Sequence, residues 1–265
     1  SFSGCSSLTK ITLSPSIQSI KSATFFECSS LQQIDIHSLI TSIEMHAFYG
    51  CSSLTEINIP ETVSFIGSHA FCGCSSLTKI NISSSKIETI KDSCFKQCTK
   101  LNNVNIPFTV ETIEKNAFYG CSSITEIDIP SSVTSIGSHS FCNCLSLNTI
   151  IVDPGIEIES SAFDGCESLH QLNIKANKPI IQQYNMKPFS SITWIYIPNG
   201  IDIIGCFAFK DCSMLTQITI PQSVLSSSKF AFYGCSSLTE INIPPYISSI
   251  SESTFHGCSS LTKIV

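Results

Sequence analysis

The sequence predicts a solenoid, a coil of short repeats that stack on one another, and three observations support this prediction. Cysteine recurs every 22 to 24 residues along the chain, with one doubled interval. A phenylalanine stands three residues before each of these cysteines, and an apolar pattern of constant spacing follows each of them. A fixed period of this length is typical of repeats that bury their apolar face only by stacking on neighbours. We therefore expect about 11 repeats of 23 residues.

The segment after each cysteine predicts a short strand. Leu54, Ile57 and Ile59 show its spacing, which ends in the alternation of a strand with one face turned inward. A proline such as Pro60 follows in many repeats and should end the strand, because it has no amide hydrogen to donate. Strands of successive repeats should pair in parallel on the inner face of the coil. The expected fold class is therefore a β-rich leucine-rich repeat solenoid.

The rest of each repeat is expected to be compact. Val63 and Ile66 belong to a segment too short for an ordinary helix, which predicts either a second short strand or an extended turn. The segment Ala-Phe-x-x-Cys has room for one tight turn or a 3₁₀ segment. A glycine before many of the cysteines, such as Gly50, suits a left-handed corner. Phenylalanines of successive repeats should form an internal column that contributes most to the core.

The combined pattern resembles the BspA-like, or Treponema pallidum-type, family of leucine-rich repeats. Residues 66–71 carry its Ile-x-x-x-Ala-Phe element and residues 74–77 its Cys-x-x-Leu element, and the resemblance extends over essentially the whole chain. It implies a protein at the surface of a bacterium or protozoan parasite, or a secreted one. It also implies adhesion to host-cell or matrix proteins, so the expected function is protein recognition.

Composition argues against several other classes of function. Charged residues are 13% of the chain, about half the usual ~25%, and the net charge of −6 argues against nucleic acid as a partner. No run of about 18 apolar residues occurs, so we expect no direct membrane insertion. Neither a phosphate-binding glycine loop nor a His-Glu-x-x-His motif is present. We therefore expect no enzyme activity and no cofactor.

The cysteines are expected to be free and buried rather than cross-linked, because side chains that project in parallel from stacked coils oppose disulfide geometry. Cys94 replaces an alanine and should lie in the core. Cys72 and Cys142 form Cys-x-Cys pairs, a spacing that differs from that of common zinc sites, so no metal is expected. His46 and His69 occupy the same position of adjacent repeats and should lie about 5 Å apart on the surface.

Residues 1–265 are expected to form one domain, because the repetition is uniform. Both ends of the sequence fall within a repeat, which predicts a fragment of a longer protein without capping repeats. Uncapped end coils could stack on another copy, so end-to-end self-association is a further expectation.

The repetition is weakest between residues 166 and 212, where Phe189 replaces the cysteine and Met186 the phenylalanine. Two interpretations stay open, a tolerated irregularity or a functional site. The second is favoured by Trp194 and Tyr196, since other repeats carry mostly polar residues at these outward strand positions and exposed aromatic residues are typical anchors of recognition. The residues predicted to flank them are Gln171, Asn173, Gln217, Thr219 and Ile151.

Two alternatives to protein recognition follow from the same features. Trp194 and Tyr196 could form a stacking platform of a glycan-binding module, or the coil could be a purely structural spacer or self-assembling element. Tyr184, Phe207 and Phe230 share one turn position and predict either a surface aromatic strip or partly buried rings. The sequon that begins at Asn81 predicts a glycosylation site if the protein is secreted by a eukaryote.

Overall fold

The computed structural model confirms a β-solenoid of about 11 turns, whose parallel strands recur about 23 residues apart. It describes residues 1–82, 86–181, 189 and 191–265. These residues form no α-helix, and thus none of bilayer-spanning length and apolarity.

Each turn contributes a principal strand at the position that the Leu-x-x-Ile-x-Ile pattern predicts. The principal strands are Lys10–Thr12 (β1), Gln33–Asp35 (β3), Glu56–Asn58 (β5), Lys79–Asn81 (β7), Asn103–Val104 (β9), Glu126–Asp128 (β11), Thr149–Val152 (β13), Gln171–Ile174 (β15), Trp194–Tyr196 (β17), Gln217–Thr219 (β19), Glu240–Ile241 (β21) and Lys263–Ile264 (β22). Their outward side chains define what we call the strand face.

A second strand of two residues follows in most turns, so the Val-x-x-Ile segment forms a strand and not merely an extended turn. These strands are Ser19–Ile20 (β2), Ser42–Ile43 (β4), Phe65–Ile66 (β6), Thr89–Ile90 (β8), Thr112–Ile113 (β10), Ser135–Ile136 (β12), Glu157–Ile158 (β14), Ile180–Ile181 (β16), Ile203–Ile204 (β18) and Ser226–Ser227 (β20).

The chain divides into two compact units. The first comprises Ser1–Leu147 and Ser161–Ser168, and the second comprises Asn148–Ser160 and Leu169–Val265. In the first unit β1 pairs with β3, β7 pairs with β5 and β9, β4 pairs with β2 and β6, and β10 pairs with β8 and β12. In the second unit β13, β15, β17 and β19 form one parallel sheet, β18 pairs with β16 and β20, and β21 pairs with β22.

The register of the strands places residues one period apart in equivalent positions. On β5 and β7, Ile57 lies opposite Ile80, and both side chains are buried. Their neighbours Glu56 and Lys79 also lie opposite each other and face outward. β5 and β7 therefore pack Ile57 and Ile80 into the interior and present polar side chains on the strand face, as the alternation predicts.

The phenylalanines form the predicted columns of stacked rings. In the first unit, successive rings from Phe2 to Phe163 have centroids 5.2 to 5.6 Å apart and planes within 17° of parallel. In the second unit, Phe232 stacks between Phe209 and Phe255, with both centroid separations at 5.5 Å. Because each ring contacts the rings of the turns before and after it, the core is continuous along each column.

The Ala-Phe-x-x-Cys segment is a tight turn rather than a continuous 3₁₀ helix. The Cys51 amide donates to the Phe48 carbonyl at 3.2 Å, which closes the turn, while the Phe48 amide donates to Ala70 of the next turn at 2.8 Å. Left-handed backbone at His46 (φ 57°) and Gly50 (φ 70°) flanks the turn and prevents continued helical winding. The predicted left-handed corner before the cysteine is therefore present.

The cysteines that recur with the period, which we call the column cysteines, are free, as predicted. Most of their thiols donate a hydrogen bond that the sequence did not reveal. The Cys51 thiol donates to the Phe25 carbonyl at 3.2 Å, and the Cys121 thiol donates to Phe95 at 3.1 Å. The same type of bond is made by Cys28, Cys74, Cys98, Cys144, Cys166, Cys235 and Cys258. Cys5 is an exception to the expected burial because it is exposed, and Cys258 is partly exposed.

The irregular repeat retains the core of its strand. Phe189 takes the place of the column cysteine and is buried, and its carbonyl accepts from the Ile192 amide at 3.1 Å. Ile192, Ile195 and Ile197 are all buried, so β17 keeps the predicted inward positions. Met186 lies outside the described residues.

Candidate functional site

The candidate site lies on the strand face of the second unit and is centred on β17. Trp194 and Tyr196 flank the buried Ile195, so alternation along the strand directs both aromatic side chains outward. Their exposed fractions are 36% and 43%, respectively. Two large rings are thus accessible on a strand whose isoleucines anchor it in the core.

The neighbouring strands bring the predicted flanking residues beside these two rings. Trp194 lies between Gln171 of β15 and Gln217 of β19. Tyr196 lies between Asn173 of β15 and Thr219 of β19. The first ring is therefore bordered by two primary amides, and the second by an amide and a hydroxyl group.

One hydrogen bond within β15 orients part of this polar border. The Gln171 side-chain amide donates to the Asn173 carbonyl oxygen at 2.9 Å, and both side chains are partly buried. Ile151 of β13 lies beside Asn173 and is also partly buried. All the residues predicted to surround Trp194 and Tyr196 therefore belong to one patch, with Ile151 at its apolar edge.

The patch carries no ionisable side chain apart from the Tyr196 phenol. The outward residues of β13, β15, β17 and β19 that are not buried are Ile151, Gln171, Asn173, Trp194, Tyr196, Gln217 and Thr219. The strand face of the first unit is different, because Glu56, Lys79, Glu126 and Asp128 occupy the corresponding columns there. The sheet centred on β17 therefore offers aromatic and neutral polar groups to a ligand.

A cavity of about 300 Å³ lies beside the patch, over β19 and the pair β21–β22. Its polar lining includes Gln217, Thr219, Glu240, Asn242 and Lys263. The Lys263 ammonium lies 3.5 Å from the Glu240 carboxylate, and both side chains are mostly exposed. Sequence reasoning missed this cavity, since outward positions predict which side chains face solvent but not the shape of the surface between them.

The second predicted cluster is located on the turns. Phe207 and Phe230 stack with centroids 5.0 Å apart and planes within 7°, and both are partly buried. Tyr184, the third predicted member, lies outside the described residues. Sequence reasoning missed Tyr233, whose ring meets that of Phe230 edge-on at 6.0 Å, although its place directly after the core phenylalanine could have indicated it.

Both rings of the turn cluster are held by left-handed backbone. Phe207 has a φ of 56° and Phe230 a φ of 58°, a region that bulky side chains seldom adopt. Other turns place histidine, asparagine or serine there, residues among which asparagine and histidine adopt it more readily. The Lys210 ammonium lies 5.6 Å from the Phe207 ring centre and adds a cation–π contact.

The Cys51 and Cys74 thiols are poorly suited to nucleophilic chemistry. Burial raises the pKa of the Cys51 thiol to about 12 and the pKa of Cys74 well above its usual value. Since the thiolate is the nucleophile, these cysteines stay protonated and unreactive near neutral pH. Their arrangement is that of structural donors.

The predicted histidine pair is close, but both side chains are partly buried and not fully on the surface. His46 and His69 have ring centroids 4.9 Å apart. Asn81 is exposed on β7, whereas Ser83 of its sequon lies outside the described residues. Among the residues that the structure describes, no group of three or more histidine, cysteine or acidic side chains could hold a metal ion.

Comparison with known proteins identifies the family to which the chain belongs. The family model described as a BspA type leucine rich repeat region matches residues 1–101, 66–187 and 180–265. The chain therefore belongs to the BspA-type leucine-rich repeat family. Such repeat solenoids are typically binding scaffolds with extended surfaces.

Solved structures of similar fold come from several bacteria. A leucine-rich repeat protein of Bacteroides ovatus is 26% identical, with a TM-score of 0.51 over 99% of this chain and 79% of that chain. A leucine-rich cell surface protein of Faecalibacterium prausnitzii is 22% identical, with a TM-score of 0.39 over 97% and 82%. The pneumococcal vaccine antigen PcpA is 22% identical, with a TM-score of 0.41 over 97% and 61%. A search of curated proteins found no significant match.

Proposed function

We propose that the chain is a protein-recognition solenoid at a cell surface and that it adheres to a protein of a host cell or of the extracellular matrix. Its activity is binding and not catalysis. Membership of the BspA-type family supports this proposal, because the resemblance implies adhesive surface proteins. The free and buried thiols are consistent with a scaffold role.

The observation that carries the proposal is the exposed pair Trp194 and Tyr196 on the strand face of the second unit. Tryptophan and tyrosine are enriched among the few interface residues that supply most of the binding energy. Here both rings project from a strand that is paired on each side, so little conformational entropy is lost when a partner covers them. The polar side chains around them can form the rim of an interface.

A binding screen with a matched pair of double variants tests the proposal. The purified chain is applied to immobilised extracellular-matrix proteins and to cultured host cells. For any partner found, we expect Trp194→Ala/Tyr196→Ala to weaken binding by about tenfold or more, since anchor residues typically cost over 1 kcal/mol each when truncated. The control is Glu56→Ala/Asn58→Ala, which changes the same two columns on β5 and should leave affinity unchanged.

Both variants should retain the circular dichroism spectrum and thermal midpoint of the parent, because the altered side chains face outward. If neither matrix proteins nor host cells bind, or if the two double variants behave alike, the proposal fails. Self-association as the sole interaction detected would instead favour a structural spacer.

A further inference from the structure

We propose that the strand face of the second unit recognises a neutral, hexose-containing glycan carried by the partner. This inference rests on the proposed function, since it takes the same face as the contact surface. Its evidence is the combination of two exposed aromatic rings, a border of amide groups, the lack of charged side chains at the outward positions of β15, β17 and β19, and an adjacent cavity.

The two rings supply surfaces on which sugar rings can stack. A pyranose has a face of C–H bonds, which is apolar and carries partial positive charge, and the face of an aromatic ring is apolar and negative. Trp194 and Tyr196 are two residues apart on β17, so their Cα atoms are about 7 Å apart. They can therefore contact neighbouring sugar units of one chain that runs along the strand.

The amides beside the rings match the hydroxyl groups at the edge of a sugar. A hydroxyl group both donates and accepts hydrogen bonds, and a primary amide offers an acceptor and two donor hydrogens. Gln171 and Gln217 border Trp194 from both sides, and Asn173 borders Tyr196. The hydrogen bond from Gln171 to Asn173 holds these two amides in position before a ligand arrives.

The charge of the face selects among sugars. Trp194, Tyr196 and their flanking residues present no cation and no carboxylate. A sialylated or sulfated glycan would need a cation to offset the water that its anion loses on binding. Lys263, the cation that lines the adjoining cavity, is already 3.5 Å from the Glu240 carboxylate. The face therefore favours neutral hexoses over acidic sugars.

The cavity extends the site beyond the stacking platform. Gln217 and Thr219 belong both to the border of the rings and to the cavity lining, so the two features are continuous. Its volume of about 300 Å³ lies at the lower end of the range for small-molecule sites. Glu240 and Asn242 supply further hydrogen-bonding groups there. We assign it to a sugar unit that extends across β19 as a branch of the chain stacked on Trp194 and Tyr196.

The single tryptophan of the chain makes the first test direct. Tryptophan fluorescence is titrated with neutral tri- and tetrasaccharides of glucose, galactose and mannose, and with sialylated oligosaccharides. We expect a saturable change with at least one neutral series and a weaker or absent change with the sialylated series. Saturation with none of the neutral series, or preference for the sialylated series, would overturn the inference.

Calorimetry with variants locates the binding surface. Trp194→Ala should weaken saccharide binding at least about tenfold, while Trp194→Phe should retain most of it because a ring remains. Gln217→Ala should also weaken binding, and Glu56→Ala/Asn58→Ala should not. Equal affinities of Trp194→Ala and the parent, at unchanged thermal midpoints, would place the saccharide elsewhere and refute the assignment.

An experiment with a glycoprotein partner distinguishes glycan recognition from recognition of the protein itself. Its binding to the chain is measured before and after enzymatic removal of its glycans. Loss of binding supports the inference. Binding that survives and still requires Trp194 overturns the inference and leaves protein recognition in place, whereas binding that never depends on Trp194 contradicts both.

Discussion

The cysteine that recurs in most turns combines two properties that an apolar residue of similar size cannot combine. Its side chain packs as a small apolar group in the core, and its S–H group donates to the carbonyl of a phenylalanine, as Cys121 does to Phe95. Burial raises the pKa of Cys121, which keeps the proton on the sulfur. The column cysteine thereby gives the Phe95 carbonyl a second donor beside the Cys98 amide, which donates to it at 3.1 Å.

Replacement of this donor should lower stability. Cys121→Val keeps the approximate volume but removes the S–H group, so the Phe95 carbonyl loses its thiol donor. We expect a loss of about 0.5–1.5 kcal/mol in the free energy of unfolding, measured with urea, because the Phe95 carbonyl still accepts from the Cys98 amide. Cys121→Ser keeps a hydroxyl donor and should lose less. Greater destabilisation by serine than by valine would contradict this role of the thiol.

The stacked phenylalanines should also contribute strongly to stability, which gives a second prediction for a single residue. Phe118 is fully buried and stacks on Phe95 and Phe141 at 5.2 Å each. Phe118→Ala should therefore cost about 3–5 kcal/mol of unfolding free energy, through lost burial and an unfilled cavity. Phe108 is 83% exposed, so Phe108→Ala serves as the control and should cost almost nothing. Thermal or urea unfolding measures both losses. Similar losses of stability in the two variants would contradict the prediction.

Single residues also show where sequence reasoning ends. The buried phenylalanines and cysteines were predictable because they recur with the period. The thiol hydrogen bond was not, because its acceptor lies in another turn and depends on how the coil closes. The left-handed backbone at Phe207 and Phe230 was equally hidden, since aromatic residues do not indicate it as glycine does.

At the scale of elements, strands of two to four residues depend on their neighbours for stability. Side chains between adjacent turns assist the backbone pairing. Lys21, just after β2, lies 2.8 Å from the Glu44 carboxylate just after β4. The Ser22 amide also donates to this carboxylate at 3.0 Å, and so do the Ser22 and Ser19 hydroxyls. Glu44 therefore joins two consecutive turns through four donor groups.

This junction should be sensitive to acid. The hydrogen bond from Lys21, followed by that from the Ser22 amide, lowers the pKa of Glu44 from 4.5 to about 2. A group whose pKa is lower in the folded state stabilises the fold above its unfolded pKa and loses that contribution as pH falls. Between pH 4.5 and pH 2, the parent should therefore lose more stability than Glu44→Gln. Parallel pH profiles of urea midpoints would contradict this prediction.

The principal strands were predictable because alternation and the following proline mark them. The second strands were left open between two alternatives, since two residues such as Phe65–Ile66 carry too short a pattern. Neighbouring turns decide the outcome: Ile66 pairs in register with Ile43, and the backbone amide of Gly67 donates to the Ile43 carbonyl at 2.8 Å. The cavity beside β19 depends on surface shape and had no sequence signal.

For the whole molecule, the period was sufficient to predict the coil and the resemblance to predict its family. The weakest repeat was also informative, since the place of Trp194 and Tyr196 beside Gln171 and Gln217 follows directly from equivalence one period apart. What the sequence could not supply is the chemistry of the ligand, which depends on the combined surface of several turns. The surface aromatic strip of Tyr184, Phe207 and Phe230 stays a prediction, because Tyr184 lies outside the described residues.

The free state of the cysteines has a consequence for how this protein can be made and handled. Its core is held by stacked rings and by hydrogen bonds between turns, so folding requires no oxidant and no disulfide isomerase. Dithiothreitol should leave its thermal midpoint unchanged. The same fold can therefore form in a reducing cytosol and persist after export into an oxidising environment.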